Sequence, residues 1–296
     1  MTTAAPLQQR PSNLDVAFSE DYIGYVGVAV GLAWAARQEW IRRRVDSYSF
    51  RNSESSVCQA SIDFTVPSLA PVIVVPGGNR VVVPLALADK SELSVHFDLR
   101  DASGQSICRL PSEVAARIGG EILINLASRA IRRDFDRDPT SPHADKLPAE
   151  LIKIAALDHT TWSDTDWKKL KDRDWGLSKQ ERTRLFVDTS PFHNAVTCFA
   201  LSYLLCVLTP GEPGQPRIVK LRYDTQDEWF RRRTRRRDQW LAKAAFRAWA
   251  VPIRAPAQDA EVYHFECTAP EGVDIREVSP EPDIAVQPQV NPSLSA

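Results

Sequence analysis

The stretch RVVVPLALADKSELSVHFDLR, residues 80–100, decides the fold class. Its two apolar segments are rich in β-branched residues, and each has the length of a single strand. The second segment alternates, so apolar and polar side chains point to opposite faces: Val95, Phe97 and Leu99 against His96, Asp98 and Arg100. This alternation predicts a sheet with one buried face and one face in contact with water.

Segments on both sides of this stretch extend the pattern. Further strands are predicted at residues 57–66, 72–75, 217–224 and 261–269. Helices are predicted at about 18–44, ending in the basic turn Ile41–Arg44, and at 112–133, 149–157, 163–172, 178–188 and 226–250. The apolar run at 195–208 has no clear period, and we interpret it as a buried strand with a buried helix as the alternative.

An internal repeat is the most informative long-range pattern. Val83-Pro84 is followed at fixed spacing by His96-Phe97-Asp98 and then Gly104, and Val251-Pro252 is followed at the same spacing by His264-Phe265-Glu266 and then Gly272. Each copy reads as strand, loop, strand and turn, with the phenylalanine facing a core and the His–acid pair on the other face. Duplication and chance similarity of two half-buried strands both remain open.

These segments predict an α+β protein in which two small antiparallel β-sheet lobes, sandwich-like and related by the repeat, surround a helical middle segment. The predicted divisions are a disordered N-terminus at 1–15, an N-terminal helix with the first β-rich lobe at 16–133, a linker and helical segment at 134–194, a second β-rich lobe with an inserted basic helix at 195–279, and a flexible tail at 280–296.

Composition limits the classes of function. The net charge of −1 gives the whole chain no electrostatic preference for nucleic acid or an anionic membrane. The five cysteines are far apart and cannot form a complete set of disulfides, so we predict reduced thiols and a cytoplasmic protein, with membrane association as the alternative. The uncharged run at 22–36 is shorter than the ~20 apolar residues that a spanning helix needs. It predicts a buried helix in which Gly27 and Gly31 admit a close neighbour.

Catalytic and metal-binding motifs are weak. The pairs His96/Asp98 and His264/Glu266 could act as general acid and base, because a carboxylate orients an imidazole, but polar alternation on a wet sheet face explains them equally. His193 with Cys198 could form a nucleophile, although a cysteine in an apolar run is expected to be inert. Asp158 and His159 with Asp164 and Asp166 could bind a metal, although Ser163 and Asp164 are also suitable helix caps. We predict no cofactor and no bound metal.

Aromatic and basic residues offer binding surfaces. Trp162, Trp167 and Trp175 are predicted to anchor short helices, with a ligand platform as the alternative. The basic segment at 231–237 is flanked by tryptophans, and the candidate contact residues are Trp229, Arg231, Arg232, Arg233, Arg235, Arg236, Arg237 and Trp240. Such a segment could bind a protein partner, a nucleic acid backbone or an anionic membrane, or it could be solvated or paired within the chain.

Four segments resemble parts of a family of bacterial proteins that has no assigned activity: YHFECTAPEGVDI at 263–275, RIVKLRYD at 217–224, SIDFTVP at 61–67 and VHFDLRDASG at 95–104. In that family, a region of this kind precedes membrane-spanning helices. The resemblance therefore implies the soluble part of a membrane-tethered assembly, and it carries over no functional residue. The polar tail of this sequence departs from the pattern and leaves open a truncated chain or a relative without those helices.

The sequence as a whole favours a non-enzymatic binding or regulatory module that recognises a protein partner or an anionic ligand through Arg231–Arg237. The alternatives are an enzyme that uses a His–carboxylate pair and the soluble part of a membrane-tethered assembly.

Overall fold

Seven helices and nine strands make up the part of the chain that the computed structural model describes, which is residues 20–51, 55–75, 78–90, 95–131, 146–157, 162–188, 190–226 and 259–269. The helices are α1 (Glu20–Ala35), α2 (Arg37–Trp40), α3 (Ser112–Ile131), α4 (Lys146–Ala156), α5 (Asp164–Asp172), α6 (Lys179–Leu185) and α7 (Pro191–Leu201). The strands are β1 (Ile41–Phe50), β2 (Ser55–Thr65), β3 (Val72–Val75), β4 (Gly78–Asp89), β5 (Val95–Asp101), β6 (Cys108–Arg109), β7 (Ser202–Pro210), β8 (Pro216–Gln226) and β9 (Val262–Thr268). The predicted α+β class is confirmed.

Helix α1 packs against α3 through two glycines. A Cβ atom on Gly27 would overlap the side chain of Glu121, and one on Gly31 would lie 3.0 Å from Cγ1 of Ile122. Glycine at these positions therefore allows the two helix backbones to approach closely. The predicted buried helix with a close neighbour is confirmed. Within the described ranges, no helix has both the length and the apolar character needed to span a bilayer.

The predicted end of the first helix is wrong. Residues 41–44 do not close a helix but begin β1, which pairs along its whole length with β2. The helix prediction relied on positive charge at a helix C-terminus, which is a local effect. Pairing with β2 overrides it, because it buries Arg44 and Asp46 at alternate positions while Val45 and Ser47 face outward.

The strands form one mixed sheet and one antiparallel sheet. The five-stranded sheet has the order β5-β8-β2-β1-β9, and its only parallel pair among the described strands is β1 with β9. The four-stranded sheet has the order β3-β4-β7-β6 and is antiparallel throughout. The predicted strands at 57–66, 72–75, 80–87, 93–100, 217–224 and 261–269 are all present, with bounds that differ by a few residues.

The four-stranded sheet is the middle layer of the structure. Its side chains Val82, Leu204 and Cys206 lie in a core with the helices. Val81, Val83 and Val207 point the other way, into a second core with the five-stranded sheet. The layers are therefore helices, four-stranded sheet and five-stranded sheet, and among the described residues no further layer covers the other face of the five-stranded sheet.

The predicted arrangement of two separate β lobes is wrong. Strand β4 of the proposed first lobe pairs with β7 of the proposed second lobe, and β5 of the first pairs with β8 of the second. Strands β5 and β9, which carry the two His–acid pairs of the repeat, lie at opposite edges of one sheet. Local alternation identified the strands, but the pairing depends on contacts between distant segments that the repeat does not encode.

Residues 195–208 are partly helix and partly strand. Helix α7 ends at Leu201 and β7 begins at Ser202, so each of the two alternatives is confirmed for part of the run. Ser190 caps α7 by accepting a hydrogen bond from the His193 backbone N–H, and Pro191 occupies the first helical turn, where it is tolerated.

The three short helices predicted before this run are confirmed. Helix α4 begins a few residues earlier than expected, while α5 and α6 each begin with a capping box formed by Ser163 with Asp166 and by Ser178 with Glu181. The hydrogen bond from Ser163 is the main cause of a lowered pKa of Asp166. The predicted N-terminal segment, the tail and all but the first residue of the helix at 226–250 lie outside the described residues.

Lys90 is a buried charge that joins the sheet to a helix end. Its Nζ donates to the carbonyl oxygens of Ala155 at 2.9 Å and of Leu157 at 2.7 Å, and it lies 4.8 Å from the centroid of the Tyr203 ring. The last carbonyls of a helix have no partners within the helix, and a cation there is favourable. Lys90 therefore caps α4 from β4.

We expect Lys90→Met to lower the free energy of unfolding by about 2 kcal/mol, because it leaves buried carbonyl groups without a charged donor while keeping most of the side-chain volume. Urea denaturation would measure this change. Lys153→Met, an exposed position on the same helix, is the control and should change stability by less than about 0.5 kcal/mol. Equal losses in the two variants would contradict the capping role.

Candidate binding face

The basic segment predicted as the contact site, Arg231–Arg237 with Trp229 and Trp240, lies outside the described residues. It stays a prediction. The site that can be built from described residues is the outward face of the five-stranded sheet, which we call the outer face.

The acidic residues of the two His–acid pairs lie on this face at opposite edges of the sheet, Asp98 on β5 and Glu266 on β9. On β9, His264 Nε2 lies 3.4 Å from Glu266 Oε1, and both side chains are more than half exposed. On β5, Asp98 pairs with Arg100 at 2.7 Å, and nothing is described of the His96 side chain. Four strand spacings, about 19 Å, separate the two edges. The structure therefore does not bring the two pairs into one catalytic centre.

Register aligns the residues of the outer face into two rows that cross all five strands. One row, read from β5 to β9, is Arg100, Lys220, Ser61, Val45 and His264. The next row is Asp98, Arg222, Gln59, Ser47 and Glu266. Each edge of the sheet therefore presents one basic or imidazole side chain beside one carboxylate.

The middle of the outer face offers hydroxyl groups beside longer polar side chains. Strands β1 and β2 contribute Ser47, Ser49 and Ser61 together with Gln59, and β8 contributes Lys220 and Arg222. Hydroxyl groups both donate and accept hydrogen bonds.

Strand β8 carries charge on the outer face without matching acids. Lys220 stands directly opposite Arg100, and like charges at opposed positions destabilise a strand pair. Asp98 stands opposite Arg222 but forms its ion pair with Arg100 on its own strand. In the part of the chain that the structure describes, neither Lys220 nor Arg222 has an acidic partner at ion-pair distance. These two exposed cations are therefore available to an external anion.

The opposite face of the same sheet holds a buried ion-pair network that the sequence did not reveal. Arg44 Nε donates to both carboxylate oxygens of Asp46 at 3.0 Å, and the Tyr263 hydroxyl donates to Asp46 at 3.0 Å. Arg37 pairs with Asp259 at 2.5 Å. Burial and the Asp46 carboxylate raise the pKa of Tyr263. The network fastens β9 to β1 and to α2, so its role is to hold the strand that carries His264.

The remaining catalytic and metal candidates have structural roles where they are described. His193 packs against Trp167, with tilted rings whose centroids are 4.2 Å apart, and it shares α7 with Cys198. Asp166 belongs to the capping box of α5, and Asp158 and His159 lie outside the described residues. Across the described ranges, no group of three or more His, Cys, Asp or Glu side chains is placed to hold a metal ion.

The predicted anchoring role of the tryptophans is confirmed for two of them. Trp167 and Trp175 are 5% and 3% exposed, and Trp167 Nε1 donates to Asp188 at 2.6 Å. This hydrogen bond is the main cause of a lowered pKa of Asp188. Trp162 is half-buried against the same core. Buried rings of this kind do not form an open platform for a ligand.

Sequence reasoning identified His264 and Glu266 but missed Lys220, Arg222 and the serines of β1 and β2. The alternation in RIVKLRYD could have placed Lys220 and Arg222 on a wet face, since Val219 and Leu221 between them are apolar. Alternation does not show which strands pair with β8, so the residues that stand beside Lys220 and Arg222 could not be predicted.

No family model, no curated protein and no solved structure matches this chain. The resemblance to the bacterial family stays a prediction.

Proposed function

We propose that the protein is a non-enzymatic binding module whose outer face recognises an acidic segment of a protein partner. The observation that carries the proposal is the pair of exposed cations, Lys220 and Arg222, beside Arg100 and without acidic partners among the described residues. An acidic segment lying across the outer face would neutralise these charges and relieve the repulsion between Arg100 and Lys220.

Charge and shape favour a protein partner over a nucleic acid. The outer face carries Asp63, Asp98 and Glu266 among its cations, and these carboxylates would repel a phosphate backbone. The apolar side chains that the structure describes on this face, such as Val45 and Val262, are aliphatic, so the described part of the face lacks the aromatic rings that stack on bases. A surface of mixed charge with hydroxyl groups is typical of a protein contact.

The enzyme alternative gains no support from the described pair. His264 and Glu266 have side chains that are 57% and 54% exposed at a sheet edge, where bulk water competes for every hydrogen bond. The membrane-tethered alternative rests on the resemblance alone. We place the module in the cytoplasm because the five cysteines are free thiols and a reducing compartment maintains them so.

We expect the full chain to bind a fluorescently labelled, glutamate-rich peptide of about ten residues, and Lys220→Glu/Arg222→Glu to weaken this binding at least about tenfold. Fluorescence anisotropy at two salt concentrations would measure the affinity. Lys179→Glu/Arg184→Glu on α6 changes the net charge equally at exposed positions and is the matched control. The control variant should bind like the unmodified chain.

Two results would overturn the proposal. One is unchanged peptide binding by Lys220→Glu/Arg222→Glu, with binding abolished only by charge reversal of Arg231–Arg237; recognition would then belong to the basic segment. The other is a labelled single-stranded oligonucleotide that binds more tightly than the peptide and depends on Lys220 and Arg222. That result would assign the face to nucleic acid.

A further inference from the structure

The two edges of the five-stranded sheet differ in how they are protected. At the β5 edge, the Ile107 N–H donates to the Leu99 carbonyl at 2.9 Å, and the Asp101 N–H donates to the Gln105 carbonyl at 2.9 Å. A register irregularity between Val95 and Asp98 further interrupts this edge. Covering segments and bulges are the usual means by which proteins prevent a strand from pairing with another chain.

The β9 edge has no such protection within the described residues. The Glu261 N–H donates to the Ile41 carbonyl at 2.9 Å, so the backbone of residue 261 faces β1. In a parallel pair, alternate residues point both backbone groups to the same side. The backbone groups of Val262, His264, Glu266 and Thr268 therefore point away from β1, and no described residue hydrogen bonds to them there.

The side chains on this edge would not prevent another strand from pairing with β9. Val262 is 53% exposed, and the side chains of His264 and Glu266 are 57% and 54% exposed. An edge strand that is to stay solitary commonly carries a proline, a bulge or an inward-pointing charge. Strand β9 (VYHFECT) has no proline, and its inward-pointing residues are Tyr263, Phe265 and Cys267.

We propose that β9 pairs with β9 of a second copy of this chain, in antiparallel orientation, to form a two-fold symmetric dimer. The symmetry axis passes through Phe265. His264 then stands opposite Glu266 of the second copy, and Glu266 stands opposite His264 of the second copy. Both positions have outward-facing backbone groups, so these are the hydrogen-bonded pairs of the new ladder.

Charge selects this register over its neighbours. The two nearest registers that still pair outward-facing backbone groups have the symmetry axis at residue 264 or at residue 266. They place His264 opposite His264 of the second copy, or Glu266 opposite Glu266 of the second copy. Two opposed carboxylates destabilise a strand pair, and two opposed imidazoles lack the carboxylate acceptor that Glu266 offers in the chosen register. The chosen register also sets Phe265 against its symmetry mate as a non-hydrogen-bonded pair, in which side chains approach most closely. Aromatic pairs at such positions are favourable.

The dimer would join two five-stranded sheets into one sheet of ten strands. Because the axis is perpendicular to the sheet, both outer faces lie on the same side and form one surface. The inference does not depend on the proposed function, since Lys220 and Arg222 lie on β8, which is three strand positions away from β9.

Sedimentation equilibrium of the full chain tests the proposal. We expect a dimer of the 33.2 kDa chain at about 50 µM. His264→Glu opposes two carboxylates at both symmetric contacts and should weaken dimerisation at least about tenfold. The charge swap His264→Glu/Glu266→Lys restores opposite charges and should recover affinity to within about threefold. Gln59→Glu adds a carboxylate to the same face, away from the edge, and should leave dimerisation unchanged.

Each change is at an exposed position, so we expect every variant to be folded, and thermal unfolding would check this. Three outcomes would overturn the proposal: a monomer of the unmodified chain at 100 µM or more, equal weakening by His264→Glu and Gln59→Glu, and a charge swap that is no better than His264→Glu. Loss of peptide binding in Lys220→Glu/Arg222→Glu with an intact dimer separates this interface from the binding face.

Discussion

Asp46→Ala is expected to lower the free energy of unfolding by about 3–5 kcal/mol, the largest effect of any single substitution considered for this protein. The Asp46 carboxylate accepts hydrogen bonds from Arg44 and from the Tyr263 hydroxyl, and it is 3% exposed. Its removal leaves the Arg44 guanidinium buried, where the nearest other carboxylate, that of Asp259, lies 4.0 Å from Nη1. Denaturation in urea, followed by tryptophan fluorescence, would measure the loss.

Two companion variants test the cause. Asp63→Ala removes a carboxylate from the outer face of the neighbouring strand and should cost less than about 1 kcal/mol. Arg44→Met/Asp46→Leu replaces the buried pair with apolar side chains of similar volume, and it should recover most of the stability that Asp46→Ala loses. If the double variant is as unstable as Asp46→Ala, the ion pair is not the source of the effect.

Gly27→Ala is expected to lower the free energy of unfolding by about 1–3 kcal/mol, although alanine is the better helix former. The added Cβ would overlap Glu121 and would lie 3.4 Å from the Ile118 carbonyl oxygen, so α1 must move away from α3. Glu121 can rotate its outer atoms but cannot move its own Cβ without shifting the helix.

Gly24→Ala is the matched control in the same helix. Its nearest neighbour would be Glu121 Oε2 at 3.8 Å, which is an ordinary contact. Here the helix propensity of alanine should dominate and should stabilise the fold by up to about 1 kcal/mol. Thermal unfolding of the two variants should therefore shift in opposite directions, and a stabilised Gly27→Ala would contradict the close packing of α1 on α3.

Strands and short helices were predictable because their signals are local. The alternation in residues 217–224 is sufficient to identify β8, and Ser163 with Asp166 is sufficient to begin α5. Strand β1 was missed because its three arginines match a helix end as well as they match a strand, and only the pairing with β2 and β9 distinguishes the two. Residue 201 divides helix from strand in a run whose apolar residues suit either.

The candidate site was predictable only in part. The repeat placed His264 and Glu266 on a wet face, where the structure has them. It could not show that Lys220 stands opposite Arg100, because strand order and register are set by residues more than a hundred positions apart. The capping role of Lys90 was not predictable, since a single lysine at a strand end has no sequence signature as a helix cap.

Because β1 pairs with β9, one edge of β1 stays unpaired during translation until β9 has been synthesised. Tyr263 and Asp46 are 217 positions apart, so β1 leaves the ribosome long before the strand that covers its edge. At the usual elongation rate of about 5–20 residues per second, the edge of β1 stays uncovered for about 10–40 seconds. Throughout that interval Arg37 and Arg44 lack Asp259, and the nascent chain is at its most vulnerable to aggregation and to chaperone capture. Strand β9, the last of the described strands to be translated, thus closes the five-stranded sheet.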